Sequence, residues 1–291
     1  MIFLLFSILT NAAIYLLFKY FDIKGIKIFE AIVANYITAF SIGIFMVDDL
    51  SVTVNTALQW PIWSVAGVSL GGIFIAIFYF MAITAQKVGV SVATIASKMS
   101  LALAVILFAL TDPNETIGAI KTIAILLAIA GVVFASLKDA PGGFNAKMIV
   151  YPLLILLGST VIDFSIAHFS NFPTNENEMN LYSCLPFMTA GLIGITVIII
   201  KYFKGNYSIS FRDIAAGIFL GLVNYGSIYF LVKSYTIGIW PKSTVLPLNN
   251  LSVVIVGAFA SILIFKEKLS TKNYIGIALS ALALALLLFT Q

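Results

Sequence analysis

Ten long apolar runs, each close to twenty residues, decide what this chain can become. They lie near 2–20, 27–47, 61–85, 88–111, 115–137, 147–168, 178–200, 212–236, 240–265 and 273–290. A hydrocarbon core about 30 Å thick is crossed by about 20 helical residues, and within it a helix satisfies its own backbone polar groups. Transmembrane strands would alternate apolar and polar positions over about ten residues; these runs are continuous. The gaps are too short to hold a folded domain. The longest, around 48–60 and 169–178, carry Asp, Asn, Thr and Pro and read as turns. The expected fold is an all-α polytopic membrane protein of ten transmembrane helices, a multi-pass protein of the cell membrane with the bilayer as its surroundings, in a bacterial cytoplasmic membrane.

Composition closes off the other classes. At 61% hydrophobic and 10% charged, against about 25% charged in soluble domains, the chain cannot be a soluble enzyme. A pI near 9.0 reflects lysines at the helix ends, not the basic stripe with interleaved aromatics that nucleic acid requires. One His and one Cys leave no usual zinc site and no internal disulfide, so no metal or cofactor is expected. The same inventory argues against an enzyme: acid–base or metal chemistry has little to build with.

Lys and Arg sort by gap. Those after runs 1, 3, 5, 7 and 9 hold Lys19, Lys24, Lys27, Lys87, Lys138, Lys147, Lys201, Lys204, Arg212, Lys266, Lys268 and Lys272. The gaps after runs 2, 4 and 6 hold none, and the gap after run 8 is flanked only by Lys233 and Lys242. Asp48, Asp49, Asp112, Glu115, Glu176 and Glu178 decorate this poorer side. The positive-inside rule makes the odd gaps cytoplasmic and turns both termini outward. The first run follows Met1 with no basic residue before it and no small-residue cleavage site after it, so it is expected to stay as a helix.

An internal repeat is visible. Gly67-x-x-Leu70-Gly71 with Tyr79-Phe80 returns as Gly217-x-x-Leu220-Gly221 with Tyr229-Phe230, an offset of 150. Thr38-Ala39 with Ile42-Gly43 returns as Thr189-Ala190 with Ile193-Gly194, an offset of 151. Ile117-Gly118 and Ile275-Gly276 are taken to open the fifth and tenth helices. Small residues also recur in apolar helices for packing reasons alone, but two matches in register favour duplication. The repeats are assigned to 1–138 and 147–291. Five helices per half is an odd number, so the second half enters the membrane from the opposite side. Inverted repeats of this kind expose a midplane site alternately to each face.

On these residues the chain resembles the drug/metabolite transporter superfamily, and within it the EamA-like family. The second half carries the pattern best: Pro247, then Lys266-Glu267-Lys268-Leu269-Ser270, then Tyr274-Ile275-Gly276. The corresponding turn of the first half, Asp112-Pro113-Asn114-Glu115, departs from it by having no lysine. The resemblance implies two inverted five-helix repeats around a central cavity, and transport of a small molecule.

Polar residues inside the runs mark the faces turned from lipid. Run 4 carries Ser91, Thr94 and Lys98 on one stripe; run 9, Lys242, Asn249 and Ser252; run 8, Asn224, Ser227 and Ser234; runs 1, 2 and 6, Ser7, Asn11, Tyr15, Asn35, Thr38, Ser159, Thr160 and Asp163. Runs 5 and 10 are nearly blank and are expected to form a peripheral pair. Lys98 near mid-span costs about 2.5–3.5 kcal/mol on insertion scales and has three readings. It is a counter-ion for an anionic substrate, a structural partner of Asp163 or else a lysine kept neutral by desolvation, or a lysine that snorkels from a misplaced helix end. Asp163 is the proton-coupling candidate, by region with the embedded acid of smaller superfamily members, or else a carboxylate paired with Lys98. Asn11, Asn35, Thr94, Asn224, Asn249 and Asn250, the last two being the repeat counterparts of Lys98, complete the polar lining, and Tyr79 and Tyr229 its aromatic part. Glu30 is placed at an interface, His168 at a rim, and Trp60, Trp63 and Trp240 as belt anchors. Pro186 and Pro247 interrupt helix interiors.

The expected function is secondary transport of a small metabolite, carboxylate-bearing and amino-acid-like, by alternating access, in the direction of export and with proton coupling. The partners are the small-molecule substrate and the lipid bilayer, with no nucleic acid, in a monomer or homodimer. A broad exporter of hydrophobic drugs is the alternative; a membrane sensor or an intramembrane lipid-processing enzyme is the reading from another class.

Overall fold

The computed structural model describes residues 2–111, 117–137, 147–205, 207–236 and 242–289. Its helices are α1 (Ile2–Ile23), α2 (Ile28–Ile44), α3 (Leu50–Ala57), α4 (Ile62–Lys87), α5 (Val90–Lys98), α6 (Ser100–Thr111), α7 (Ala119–Ser136), α8 (Lys147–Phe169), α9 (Glu176–Phe203), α10 (Phe211–Thr236), α11 (Lys242–Phe265) and α12 (Thr271–Leu288). Among the described residues there is no strand. Among the described residues nine spans are long and apolar enough to cross a bilayer, with Val90–Thr111 counted as one, and Ile28–Ile44 is a shorter apolar helix. Trp240, Lys138 and the turn Asp112-Pro113-Asn114-Glu115 lie outside the described residues, as do the side chains of Lys147 and Lys242.

Helix ends follow local chemistry. Gly25 after α1 and Gly205 after α9 take left-handed φ values of 65° and 80°, the conformation that stops a helix and suits glycine. α9 starts where Asn175 Oδ1 accepts the Glu178 N–H at 2.9 Å. α12 starts with a reciprocal capping box between Ser270 and Asn273, a device worth about 1 kcal/mol.

Two compact units form, and neither is a contiguous half of the chain. The first gathers Met1–Tyr20, Phe80–Asp163 and Gly226–Gln291; the second gathers Phe21–Tyr79 and Phe164–Tyr225.

In the second unit the repeated small residues are the contact points. A Cβ on Gly43 would meet Cys184 Sγ at 2.4 Å, one on Gly191 would meet Ile37 Cγ1 at 3.6 Å, and one on Gly194 would meet Val33 Cγ2 at 2.3 Å. Numbers fall along α2 as they rise along α9, so these helices are antiparallel. Val33 and Cys184 are 151 apart, as are Gly43 and Gly194. The two close contacts are thus one contact with the halves exchanged. The same holds for the GxxxG pairs. Gly67 and Gly71 of α4 sit on Leu185 and Thr189 of α9, while Gly217 and Gly221 of α10 sit on Ala31, Ala34 and Thr38 of α2. Close backbone approach through small residues is how helices associate in lipid.

These distances give a first prediction. An ideal Cβ on Gly43 lies 3.7 Å from Cys184 Cβ, inside the disulfide range of about 3.5–4.5 Å. Oxidation of Gly43→Cys with the native Cys184 is expected to give a cross-link, read as a mass loss of two hydrogens that Cys184→Ser abolishes; α2 and α9 running parallel would give none.

In the first unit α7 and α12 pack as closely, and also antiparallel. A Cβ on Gly131 would meet Ser280 Oγ at 2.3 Å and one on Gly276 would meet Ala135 N at 2.3 Å. Asn273 Nδ2 donates to the carbonyls of Ala135 at 2.6 Å and Leu137 at 3.1 Å. α5 crosses α11 in the same sense, with Ser91 and Ser261 hydroxyls 3.0 Å apart and Thr94 against Gly257.

Four expectations need correction. The match of Ile117-Gly118 with Ile275-Gly276 is out of register: Gly118 is the N-cap of α7, whereas Gly276 lies inside α12, whose N-cap is Ser270. Trp63 is no belt anchor. The gap 48–60 is not all turn; it contains α3, whose Ala57 accepts the Ser64 hydroxyl at 2.9 Å, and Trp63 is 2% exposed in a cluster with Val47, Tyr182 and Leu185. Glu30 stays near the helix end, in the first turn of α2, where it is buried within the protein and Tyr207 donates its hydroxyl to Glu30 Oε1. Burial, that hydrogen bond and the charges of Glu30 and Asp213 raise the Tyr207 pKa, so the phenol stays the donor. Finally, run 4 is not one continuous helix.

Candidate functional site

The break in run 4 organises the site. α5 ends at Lys98 and α6 begins at Ser100, so Val90–Thr111 is interrupted near its middle at Met99. The Met99 N–H reaches the Ile95 carbonyl at 2.9 Å, and the Met99 carbonyl takes the Ala102 N–H at 3.1 Å, a tighter turn than an α-helix makes. Irregular backbone at membrane depth survives only where protein buries it or it lines a cavity. At a rise of 1.5 Å per residue Lys98 is roughly 13 Å into the span. That places it well inside the apolar stretch, at the end of α5.

Around the break the first unit assembles polar groups from four helices, α1, α5, α6 and α8. The Ser100 hydroxyl lies 2.5 Å from Asp163 Oδ2 on α8 and is also within hydrogen-bond reach of the Ser97 carbonyl. It has one hydrogen for two acceptors. Either Asp163 is a carboxylate that receives this hydrogen, or it is protonated and donates to Ser100 while Ser100 turns to Ser97. Thr160, one turn before Asp163, donates to the Leu156 carbonyl at 2.7 Å and approaches the Ser100 carbonyl at 3.5 Å. Lys98 and Asp163 act on each other electrostatically, and both are half-buried. From α1 the buried Tyr15 turns its hydroxyl to the Ser97 side chain and also feels the Asp163 charge.

The other expected site residues distribute as follows. Asn11 is half-buried on α1, one turn before Tyr15. Thr94 is fully buried, one turn before Lys98, and its hydroxyl is held by the Val90 carbonyl at 2.9 Å. Asn249 is 1% exposed, with neither its Nδ2 nor its Oδ1 hydrogen-bonded; its neighbour Asn250 is also buried. Both follow Pro247 inside α11. Tyr229 is 38% exposed, with Lys233 Nζ 5.6 Å from its ring centroid. In the second unit Asn224 Nδ2 donates to Asn35 Oδ1 at 3.2 Å, while Asn35 Nδ2 has no partner. Gly221 makes this pair possible, because its missing side chain lets α10 rest on the Asn35 carbonyl. Tyr79 packs edge-on to Phe29 at 5.9 Å. His168 stacks on Phe164 at 5.3 Å.

Apolar spans, one of them interrupted near its middle with a lysine and an aspartate beside the break, belong to a multi-pass membrane protein. Residues 153–289, a little under half of the chain, match the model of the EamA-like transporter family. An uncharacterized protein of Haemophilus influenzae (strain ATCC 51907 / DSM 11121 / KW20 / Rd) is 26% identical over 289 residues, covering 97% of this chain and 95% of its own length. A solved structure, described only as the crystal structure of a protein, covers 98% of this chain and 94% of its own at a TM-score of 0.58 and 20% identity, a likeness of fold.

Proposed function

We propose that the chain is a secondary transporter that moves a small, carboxylate-bearing, amino-acid-like metabolite across the membrane by alternating access, in the direction of export and coupled to protons. The observation that carries this reading is the exchanged contact. Gly43 on Cys184 and Gly194 on Val33, joined with the antiparallel course of α2 and α9, are what two oppositely inserted repeats, 1–138 and 147–291, produce. Halves that can swap conformations open a site to either face in turn.

α2 is the tenth crossing in this reading. It has 17 residues, the lower end of the range of about 17–25 that spans a bilayer. The Lys27 N–H at its start is capped by Asp213 at 3.0 Å, and Asn180 at the start of α9 reaches the Met46 carbonyl beyond its end at 2.9 Å. It therefore runs alongside a 28-residue apolar helix. Lys24, Lys27 and Arg212, from gaps assigned to one face, also gather there, with Arg212 donating to the Lys24 carbonyl at 2.7 Å.

Lys98 is the group proposed to meet the substrate carboxylate, with Thr94 and Asn11 beside it. Asn249, whose buried amide has both a donor and an acceptor unspent, suits an ammonium or amide on the ligand, with Asn250 next to it. Asp163 and Ser100 hold or release the coupling proton by the exchange of hydrogen described above. Vesicles containing the purified protein and loaded with labelled α-amino acids and small carboxylic acids test this. At least one compound is expected to leave faster than from protein-free vesicles, and faster still against an imposed inward proton gradient, with Asp163→Asn removing the gradient dependence. No acceleration for any compound overturns the substrate class; an unchanged gradient response in Asp163→Asn overturns the coupling role.

A further inference from the structure

A cavity of about 250 Å³ sits in the first unit where the end of α1, the α4–α5 link and the α11–α12 link meet. Lys19, Lys87 and Lys268 stand on its wall with Glu267, and Val92 and Phe265 supply an apolar floor. All three lysines come from gaps that the charge count assigns to the cytoplasmic face, so the cavity lies at the interface on that side.

Its backbone is built for one side chain. Gly89 takes φ 153°, a value that L residues rarely adopt, and a Cβ there would fall 1.9 Å from Glu267 Oε1. Lys266 takes φ 52°, in the left-handed region where a long side chain is uncommon. The resulting turn seats the Glu267 carboxylate against the glycine. Glu267 Oε2 is then buried without a hydrogen-bond partner. Lys19 Nζ is drawn to the Gln86 carbonyl at 2.5 Å, and Gln86 Nε2 to the Phe18 carbonyl at 3.1 Å. A pocket with three ammoniums attracts an anion; an unspent carboxylate oxygen among them repels it unless the ligand also brings an N–H donor.

We propose that this pocket binds a phosphate joined by a short linker to a primary ammonium, with the phosphate among Lys19, Lys87 and Lys268 and the ammonium on Glu267 Oε2. Basic pockets at helix ends on the cytoplasmic side recognise lipid head groups; the carboxylate makes this one selective for the zwitterion over a plain anion. The chemistry is that of an ethanolamine phospholipid or of free phosphoethanolamine, and the site is independent of the molecule transported.

The test uses the full chain in phosphatidylcholine nanodiscs doped with phosphatidylethanolamine or phosphatidylglycerol, with free phosphoethanolamine as a separate arm, and reads the thermal midpoint and the lipid retained. The quaternary ammonium of phosphatidylcholine has no N–H, and phosphatidylglycerol has no ammonium. Phosphatidylethanolamine is expected to bind about tenfold tighter than either and to raise the midpoint, as a ligand of the folded state must. Glu267→Gln is expected to erase that preference while leaving phosphatidylglycerol binding in place, and Lys87→Ala to weaken both lipids. A response to free phosphoethanolamine without one to the lipid assigns the site to the soluble ester. The proposal fails if phosphatidylglycerol binds wild type as well as phosphatidylethanolamine, if Glu267→Gln keeps the preference, or if neither source has any effect. Should Glu267→Gln not fold, the wild-type ranking of the three lipids decides.

Discussion

Lys98→Ala is expected to lower substrate flux about 100-fold in vesicles, the factor that about 2.7 kcal/mol of lost charge-assisted binding represents. The reason is position. Lys98 ends α5 at mid-span, and its nearest opposing charge, Asp163, already has Ser100 at 2.5 Å. A lysine there would be costly were Asp163 its sole compensation, since two charges removed from water regain the loss only with close geometry and further hydrogen bonds. A double-mutant cycle separates the readings that the sequence left open. If the pair is structural, Lys98→Ala and Asp163→Asn each lower the thermal midpoint, and the double variant regains it together with transport. If Lys98 meets substrate, the double variant regains stability but not flux. Wild-type flux in Lys98→Ala removes the substrate role.

The architecture was legible because lipid allows few solutions: continuous apolar runs become helices, and each run matches an observed helix within a few residues, apart from the interrupted fourth. The contact points within the second unit were legible because close packing in lipid demands small residues. Gly43, Gly67, Gly71, Gly194, Gly217 and Gly221, found by self-comparison, are the positions where a Cβ would collide with the other half. What the sequence hid has a tertiary cause. Val90–Thr111 contains neither Gly nor Pro, so nothing local announces the break at Met99; its only trace is the polar group Ser97-Lys98 with Ser100. The partnership of Ser100 with Asp163 spans 63 positions, and that of Tyr207 with Glu30 spans 177. No pattern within one helix reports either. Ile275-Gly276 misled because a two-residue match cannot fix register, whereas the caps at Gly118 and Ser270 do.

Alanine at the packed glycines is expected to give the largest losses of stability, graded by what each new methyl meets. At Gly43 the obstacle is Cys184 Sγ at 2.4 Å, with Cys184 Cβ at an ordinary 3.7 Å. Gly43→Ala is therefore expected to cost about 1–3 kcal/mol and to be rescued by Cys184→Ala, which removes the sulfur. At Gly194 the obstacles are Val33 Cγ2 at 2.3 Å, Val33 Cβ at 3.2 Å and Ile75 Cδ1 at 3.1 Å. Val33→Ala clears the first alone, so rescue of Gly194→Ala is partial. Gly276 differs in kind. Its methyl would meet Ala135 N at 2.3 Å and Ala135 Cα at 2.7 Å, and no side-chain change removes backbone. Moving α12 outward would also break the Asn273 bonds to the Ala135 and Leu137 carbonyls, each worth about 1 kcal/mol net. Gly276→Ala should thus exceed about 3 kcal/mol, beyond rescue by any substitution at Ala135, in thermal or denaturant unfolding of the purified protein. Equal, mild losses at all three positions would mean that the helices stand further apart than these contacts require. Full rescue at Gly43, partial rescue at Gly194 and none at Gly276 is the order that a pair of exchanged contacts in one unit and a backbone-limited contact in the other imposes.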